Sequence, residues 1–201
     1  MPITLEFPPT LRPAEREEIP NRESFITRLE EMQHAQLVPG YKLEYAEEDE
    51  TAGIGFIAEI NCNASQLWAL ICDLTETMPA VLSFYFGLEH MEMTPGSYLD
   101  REALLEDLQP YQTEICQDTF IECGFLFHNN EEYHELYINR FKYLKYRGPV
   151  AEAFRAVMER HQLPAQDQLD FIDAYPRIRQ PLTKLNETTI ESDQLLNIWR
   201  K

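Results

Sequence analysis

Apolar side chains recur along this chain at two spacings, and the switches between them mark out its elements. Phe25, Leu29 and Met32 follow one another at helical spacing behind Asn21, a good capping residue placed just after Pro20. Leu37 closes that run before the Pro39-Gly40 breaker. The period then drops to two. Tyr41-Lys42-Leu43-Glu44-Tyr45 alternates, and Ile54, Phe56, Ala58 and Ile60 share one face of a second strand. The acidic link between the two predicts a β-hairpin. Asn63-Ala64-Ser65-Gln66 has the form of a capping box, and the helix it opens carries Leu67, Leu70, Ile71 and Leu74 on one stripe before Pro79 stops it. Residues 80–86 are a dense apolar run bounded by Gly87, the pattern of a buried strand.

The second half repeats the alternation. Thr94-Pro95-Gly96-Ser97 predicts a turn, and Asp100 is placed to cap a short helix carrying Leu104, Leu105 and Leu108. A further short helix fits 111–118. Residues 119–128 and 132–146 predict two long strands joined at Asn129-Asn130, since asparagine tolerates left-handed turn geometry. Pro149 opens a helix whose buried face is Val150, Phe154, Val157, Met158 and His161. One more short element fits 170–175, and Leu195, Leu196 and Trp199 suit a tail helix. Five prolines make residues 1–20 an arm with room for a short strand at Ile3–Phe7, and 177–201 reads as a polar tail. These elements predict one α+β domain over 1–201. Its largely antiparallel sheet has about five to six strands, with three to four helices mainly on one face.

Composition supports a packed core. Of 201 residues, 44% are hydrophobic and 11% aromatic, and each aromatic ring buries roughly 150–250 Å². No stretch approaches the ~18 apolar residues of a membrane span. Met1–Glu6 carries neither the basic region nor the apolar run of a signal peptide. The four cysteines, Cys62, Cys72, Cys116 and Cys123, form no Cys-x-x-Cys pair, and Cys62, Cys72 and Cys123 lie among apolar residues as buried thiols would. Together these features predict a cytoplasmic protein that does not associate with membranes.

Charge sharpens that picture. The formal net charge is −18, but it is unevenly placed. Residues 1–60 hold 13 acids and 5 bases, a net −8; residues 61–136 hold 14 acids and one base, Arg101, a net −13. Residues 137–201 hold 8 acids and 11 bases, a net +3. Such a field repels phosphate backbones and anionic lipid and attracts cationic partners.

Candidate chemistry is sparse. Gly53-Ile54-Gly55 lacks a third glycine and a following helix, so it is no nucleotide loop. Ser83 stands in no Gly-x-Ser-x-Gly elbow. Glu-x-x-His occurs at Glu31–His34 and at Glu131–His134, but the second copy falls at a hairpin, where that spacing points its ends to opposite faces. His128, Glu131, Glu132 and His134 gather near the hairpin tip. Of these, His128, Glu132 and His134 are the set a single divalent metal such as zinc would use. Cys123 and His128 fall on opposite faces of a strand, against thiol catalysis. Arg140–Arg147 interleaves bases with aromatics, yet neighbouring carboxylates favour cross-strand pairing over nucleic-acid binding. Glu47, Glu48, Asp49 and Glu50 lack the spacing and glycine of a calcium loop and suit docking of a basic protein.

In size and acidic composition the chain resembles bacterial immunity and inhibitor proteins, which present carboxylates to basic toxins or nucleases. No motif carries that resemblance. The sequence therefore predicts a non-enzymatic, cofactor-free domain that binds a basic protein, with a metal-assisted enzyme centred on the 128–134 hairpin as the alternative. Oligomeric state is not encoded in any pattern.

Overall fold

The computed structural model describes residues 4–46 and 53–200. In chain order the elements are β1 (Leu11–Pro13), α1 (Glu23–Met32), β2 (Gly40–Tyr45), β3 (Phe56–Asn61) and α2 (Leu67–Glu76). Next come β4 (Val81–Leu88), β5 (Thr94–Asp100), α3 (Arg101–Leu108), α4 (Gln112–Gln117) and β6 (Ile121–His128). The chain closes with β7 (Tyr133–Ile138), β8 (Leu144–Gly148), α5 (Ala151–Arg160), β9 (Arg177–Arg179) and α6 (Ser192–Trp199).

Seven strands form one antiparallel sheet in the order β2-β3-β8-β7-β6-β4-β5, and β1 pairs with β9 in a separate two-stranded ribbon. The fold is α+β. Alternation along each strand sends one set of side chains to the helices and the other to the opposite face. Phe56, Ala58, Ile60, Cys123, Phe125, Leu136, Ile138 and Leu144 are fully buried on the helical side. There they meet Leu67, Leu70, Ile71 and Leu74 of α2, none of which retains any exposure. Each such side chain contributes roughly 1.5–3 kcal/mol on leaving water. Phe154 of α5 packs on Phe56, Tyr146 and Tyr41 at ring distances of 5.3–5.4 Å, the tilted and edge-on contacts that aromatic quadrupoles favour.

A smaller cluster lies at one end of the opposite face. Leu11, Met32, Leu37, Phe141, Tyr143, Ile172 and Tyr175 are buried together, with Phe171 tilted against Tyr143 at 4.6 Å and Lys42 5.3 Å above Phe171. The proline-rich arm and the polar tail meet here, since Leu11, Arg12 and Pro13 pair with Arg179, Ile178 and Arg177.

Several local expectations change. Residues 94–97 do not turn but enter β5, where Ser83 Oγ reaches back to the carbonyl of Gly96 (2.8 Å). The expected strand 132–146 is two strands. They are broken where Asn139 Oδ1 accepts the amide of Phe141 (2.8 Å) and Lys142 adopts φ +65°. These two changes raise the main sheet above the expected five to six strands. Near the N-terminus the strand is β1, and residues 4–7 form none; Ile3, where the expected strand begins, lies outside the described residues. Asn21 and Asn63 cap nothing: Asn21 accepts from Arg16 (2.9 Å) and Asn63 from the amide of Glu6 (3.0 Å). Asp100 does cap α3, accepting the amides of Glu102 (3.0 Å) and Ala103 (3.1 Å). Gly55 has a packing role: a Cβ there would lie 2.0 Å from the carbonyl oxygen of Pro149.

Candidate interaction surface

The sheet ends in β5, an edge strand without a single basic residue. Such an edge presents a row of unpaired backbone donors and acceptors. Pro95 and the register shift near Ser83–Tyr85 blunt its first half, while Tyr98, Leu99 and Asp100 stay in regular pairing with Ser83, Leu82 and Val81. Tyr98 and Leu99 are nearly half exposed, as are Val81 beside them and Met91 just before the strand. Apolar exposure on this scale at one edge is a feature of interaction sites.

Beside this edge runs a groove of about 630 Å³ between β4, β5, α3 and α6. Phe84 and Phe86 are presented by β4, Leu99 by β5, Leu104 and Leu108 by α3, and Trp199 by α6. The indole of Trp199 stands edge-on to Phe84 (5.2 Å), Phe86 (5.3 Å) and Tyr111 (6.1 Å). Its Nε1 is buried and has no acceptor among the described residues, and a buried unpaired donor costs roughly 1–3 kcal/mol.

Asp107 lines the groove, and Asp100, Glu102 and Glu106 are exposed nearby on and before α3, Glu102 and Glu106 on the helix face turned away from Leu104 and Leu108. Arg101 is turned inward, donating from Nη1 to the carbonyls of Met78 (2.9 Å) and Glu76 (3.2 Å). Arg200 is the base that lines the groove.

The residues singled out from sequence are placed otherwise. Glu47, Glu48, Asp49 and Glu50 lie outside the described residues. Across the β6–β7 hairpin, His134 pairs with Phe127 on the helical side, whereas His128 pairs with Tyr133 on the opposite face. His134 Nε2 sits 3.5 Å from Glu132 Oε2, and burial pulls its pKa down against the raising effect of that carboxylate. Among the described residues no group of three or more His, Cys, Asp or Glu side chains is arranged to hold a metal. The hairpin thus joins two of the three expected ligands and separates the third.

The basic stretch 140–147 is engaged within the chain. Arg140 pairs with Glu89 (2.8 Å) and Glu122 (3.5 Å), Lys145 with Glu59 (3.0 Å), and Arg147 with Glu135. Lys142 is fully buried and donates to the carbonyl of Ile121 (3.1 Å). Of the cysteines, Cys62, Cys116 and Cys123 are buried and Cys72 is only half-buried; all four are free thiols. Burial pushes Cys62, Cys116 and Cys123 up to about 12, unsuited to a nucleophile.

Sequence reading missed the β5 groove because Pro95-Gly96 has the composition of a turn. The one available signal was Leu99 and the apolar pair Leu104 and Leu108 flanking a cap, which mark a surface strand passing into a helix. The fold and this edge define an α+β protein with helices mainly on one face of its sheet, α1 against the other, and an open strand at the sheet's end. Comparison with protein-family models, with curated proteins and with solved structures found no match.

Proposed function

We propose that this chain is a non-enzymatic, acidic protein-binding domain of the immunity or inhibitor type, and that it receives a basic partner along β5. The observation that supports the reading is the conjunction of an exposed, base-free edge strand, an aromatic groove lined by Asp107 beside it, and three further exposed carboxylates on and before α3. An extended segment adding to β5 would gain main-chain hydrogen bonds. Its alternate side chains would enter the groove, and a basic residue among them would meet Asp107. Aromatic anchors in such a groove carry the affinity, while the carboxylates speed encounter. A segment that offers Trp199 Nε1 an acceptor would also remove an unpaired buried donor.

The test begins with the partner that co-purifies with the protein from its native host. Its association should slow steeply as salt rises. Leu99→Lys should abolish binding, and Glu102→Lys with Glu106→Lys should slow association. An acidic partner, or one whose binding survives Leu99→Lys, overturns the reading.

A further inference from the structure

The last third of the chain carries its excess of bases, and the fold concentrates part of it in a second concavity. A cavity of about 480 Å³ lies between α1 and the segment 173–179, lined among others by Phe25, Arg28, Asp173, Tyr175, Arg177 and Arg179. That volume falls within the range of small-molecule sites, roughly 300–1,000 Å³. Because β9 is a strand, Arg177 and Arg179 leave it on the same side.

The guanidiniums are pre-positioned. Arg177 lies 4.1 Å over the ring of Phe141, and Arg179 lies 4.4 Å over Phe120 and 5.5 Å over Phe141. These ring contacts restrain each guanidinium before any ligand arrives. Arg179 is neutralised by Glu89 (2.6 Å), which also takes Arg140, and exposed Arg28 pairs with Glu31 (2.9 Å).

Arg177 is held differently. Its Nη1 donates to the carbonyls of Asp173 and Tyr175, both at 2.9 Å. Among the described residues no carboxylate reaches ion-pair distance of it, and its Nε and Nη2 make no hydrogen bond. Its pKa is lowered, by desolvation first and by Arg179 and Arg140 as well, against the raising effect of Asp173 and Glu89. A half-buried cation with two cationic neighbours and open donors is a site for an oxyanion.

The geometry points to a small organic phosphate monoester as the ligand of this cavity, and we propose that site. A dianionic head with three terminal oxygens can take the open donors of Arg177 and still offer charge to Arg28 or Arg179, which already hold carboxylates. Phe25 offers an apolar wall to the body of the ligand. Asp173, whose carboxylate accepts the Tyr143 hydroxyl at 3.0 Å, offers an acceptor to a ligand hydroxyl. The site uses none of the residues of the β5 groove, so it stands apart from the partner reading.

Calorimetric titration of the full chain at low ionic strength, with adenosine 5′-monophosphate, inorganic phosphate and adenosine as probes, decides the matter. The monophosphate should bind, inorganic phosphate should compete with it more weakly, and adenosine should give no heat. Amide shifts on binding should centre on residues 24–28 and 173–179. Arg177→Gln should weaken the monophosphate about tenfold or more, as expected for a lost charge-assisted hydrogen bond. Arg28→Gln, an exposed change that leaves folding intact, should weaken it about threefold. No binding at millimolar monophosphate, equal binding of adenosine, or shifts elsewhere would overturn the proposal. So would an affinity unchanged in Arg177→Gln, or in Arg28→Gln if the first variant does not fold.

Discussion

The ring of Tyr85 occupies the space that a side chain at Gly124 would fill. A Cβ on Gly124 would lie 2.5 Å from both Cζ and Oη of Tyr85 and 2.6 Å from the carbonyl oxygen of Leu136. The two residues are direct partners across β4 and β6. Tyr85 thereby lies flat on the sheet and delivers its hydroxyl to Glu135 Oε1 at 2.8 Å, while Arg147 holds the other carboxylate oxygen. Burial and the Glu135 charge push the Tyr85 pKa far up, so the phenol remains a donor.

Gly124→Ala should therefore destabilise the protein by about 1–3 kcal/mol through overpacking. The expected measurement is a lowered midpoint in urea unfolding with an unchanged slope. Tyr85→Phe keeps the ring over Gly124 and removes only the hydrogen bond, so it should cost less than Gly124→Ala. Equal stability of Gly124→Ala and the parent chain would show that the ring is free to move aside.

Lys142 gives a pH dependence with a definite sign. Burial lowers its pKa, opposed by Cys123 and Asp118 among other groups, so the unfolded chain binds this proton more tightly than the native state. Stability from this group therefore rises with pH between the folded value and the ordinary lysine range, and it is lowest on the acid side of that window. Lys142→Met should be more stable than the parent by about 1–2 kcal/mol at neutral pH, since no paired charge is left behind. That advantage should shrink as the pH is raised toward the lysine range. Urea titrations of both proteins across neutral to alkaline pH measure it, and a constant gap would count against the buried cation.

The thiols should separate by burial. At mildly alkaline pH a disulfide-exchange reagent should modify Cys72 first in the native protein, because it is only half-buried. Cys62, Cys116 and Cys123 should react only after unfolding, when all four become available. Peptide mapping of the partly modified protein identifies the site, and early labelling of Cys116 or Cys123 would contradict their packing.

Leu99→Lys should leave stability within about 0.5 kcal/mol of the parent, since the side chain is 46% exposed. It adds a charge to an edge strand, which discourages pairing without disturbing the core. A large loss of stability would mean that Leu99 carries packing within the chain, and the variant would then be useless as a probe of the edge.

Patterns of short range were legible in the residues. The period-two runs at 41–45 and 54–60 became β2 and β3, the leucine stripe at 67–74 became α2, and Asp100 capped α3. Each depends on neighbours within one or two turns. Thr94–Ser97 and 132–146 were misread for the same reason. Pro95-Gly96 carries turn composition but pairs with β4, and Asn139 breaks what looks like one continuous strand. The hairpin ligands fared similarly, since a spacing of six residues between His128 and His134 does not reveal that a tight turn sends them to opposite faces.

Local patterning of residues sufficed for the α+β character, the helical and strand periods and the concentration of acid between residues 43 and 139. Which distant residues meet was set by the folded arrangement. Trp199 closes a groove against Phe84 and Phe86, and Arg177 reaches Phe141 and shares a cavity with Arg28. Those meetings follow from the order of strands in the sheet and from the pairing of β1 with β9. Both are set by long-range burial and backbone hydrogen bonding, which no local spacing of side chains encodes.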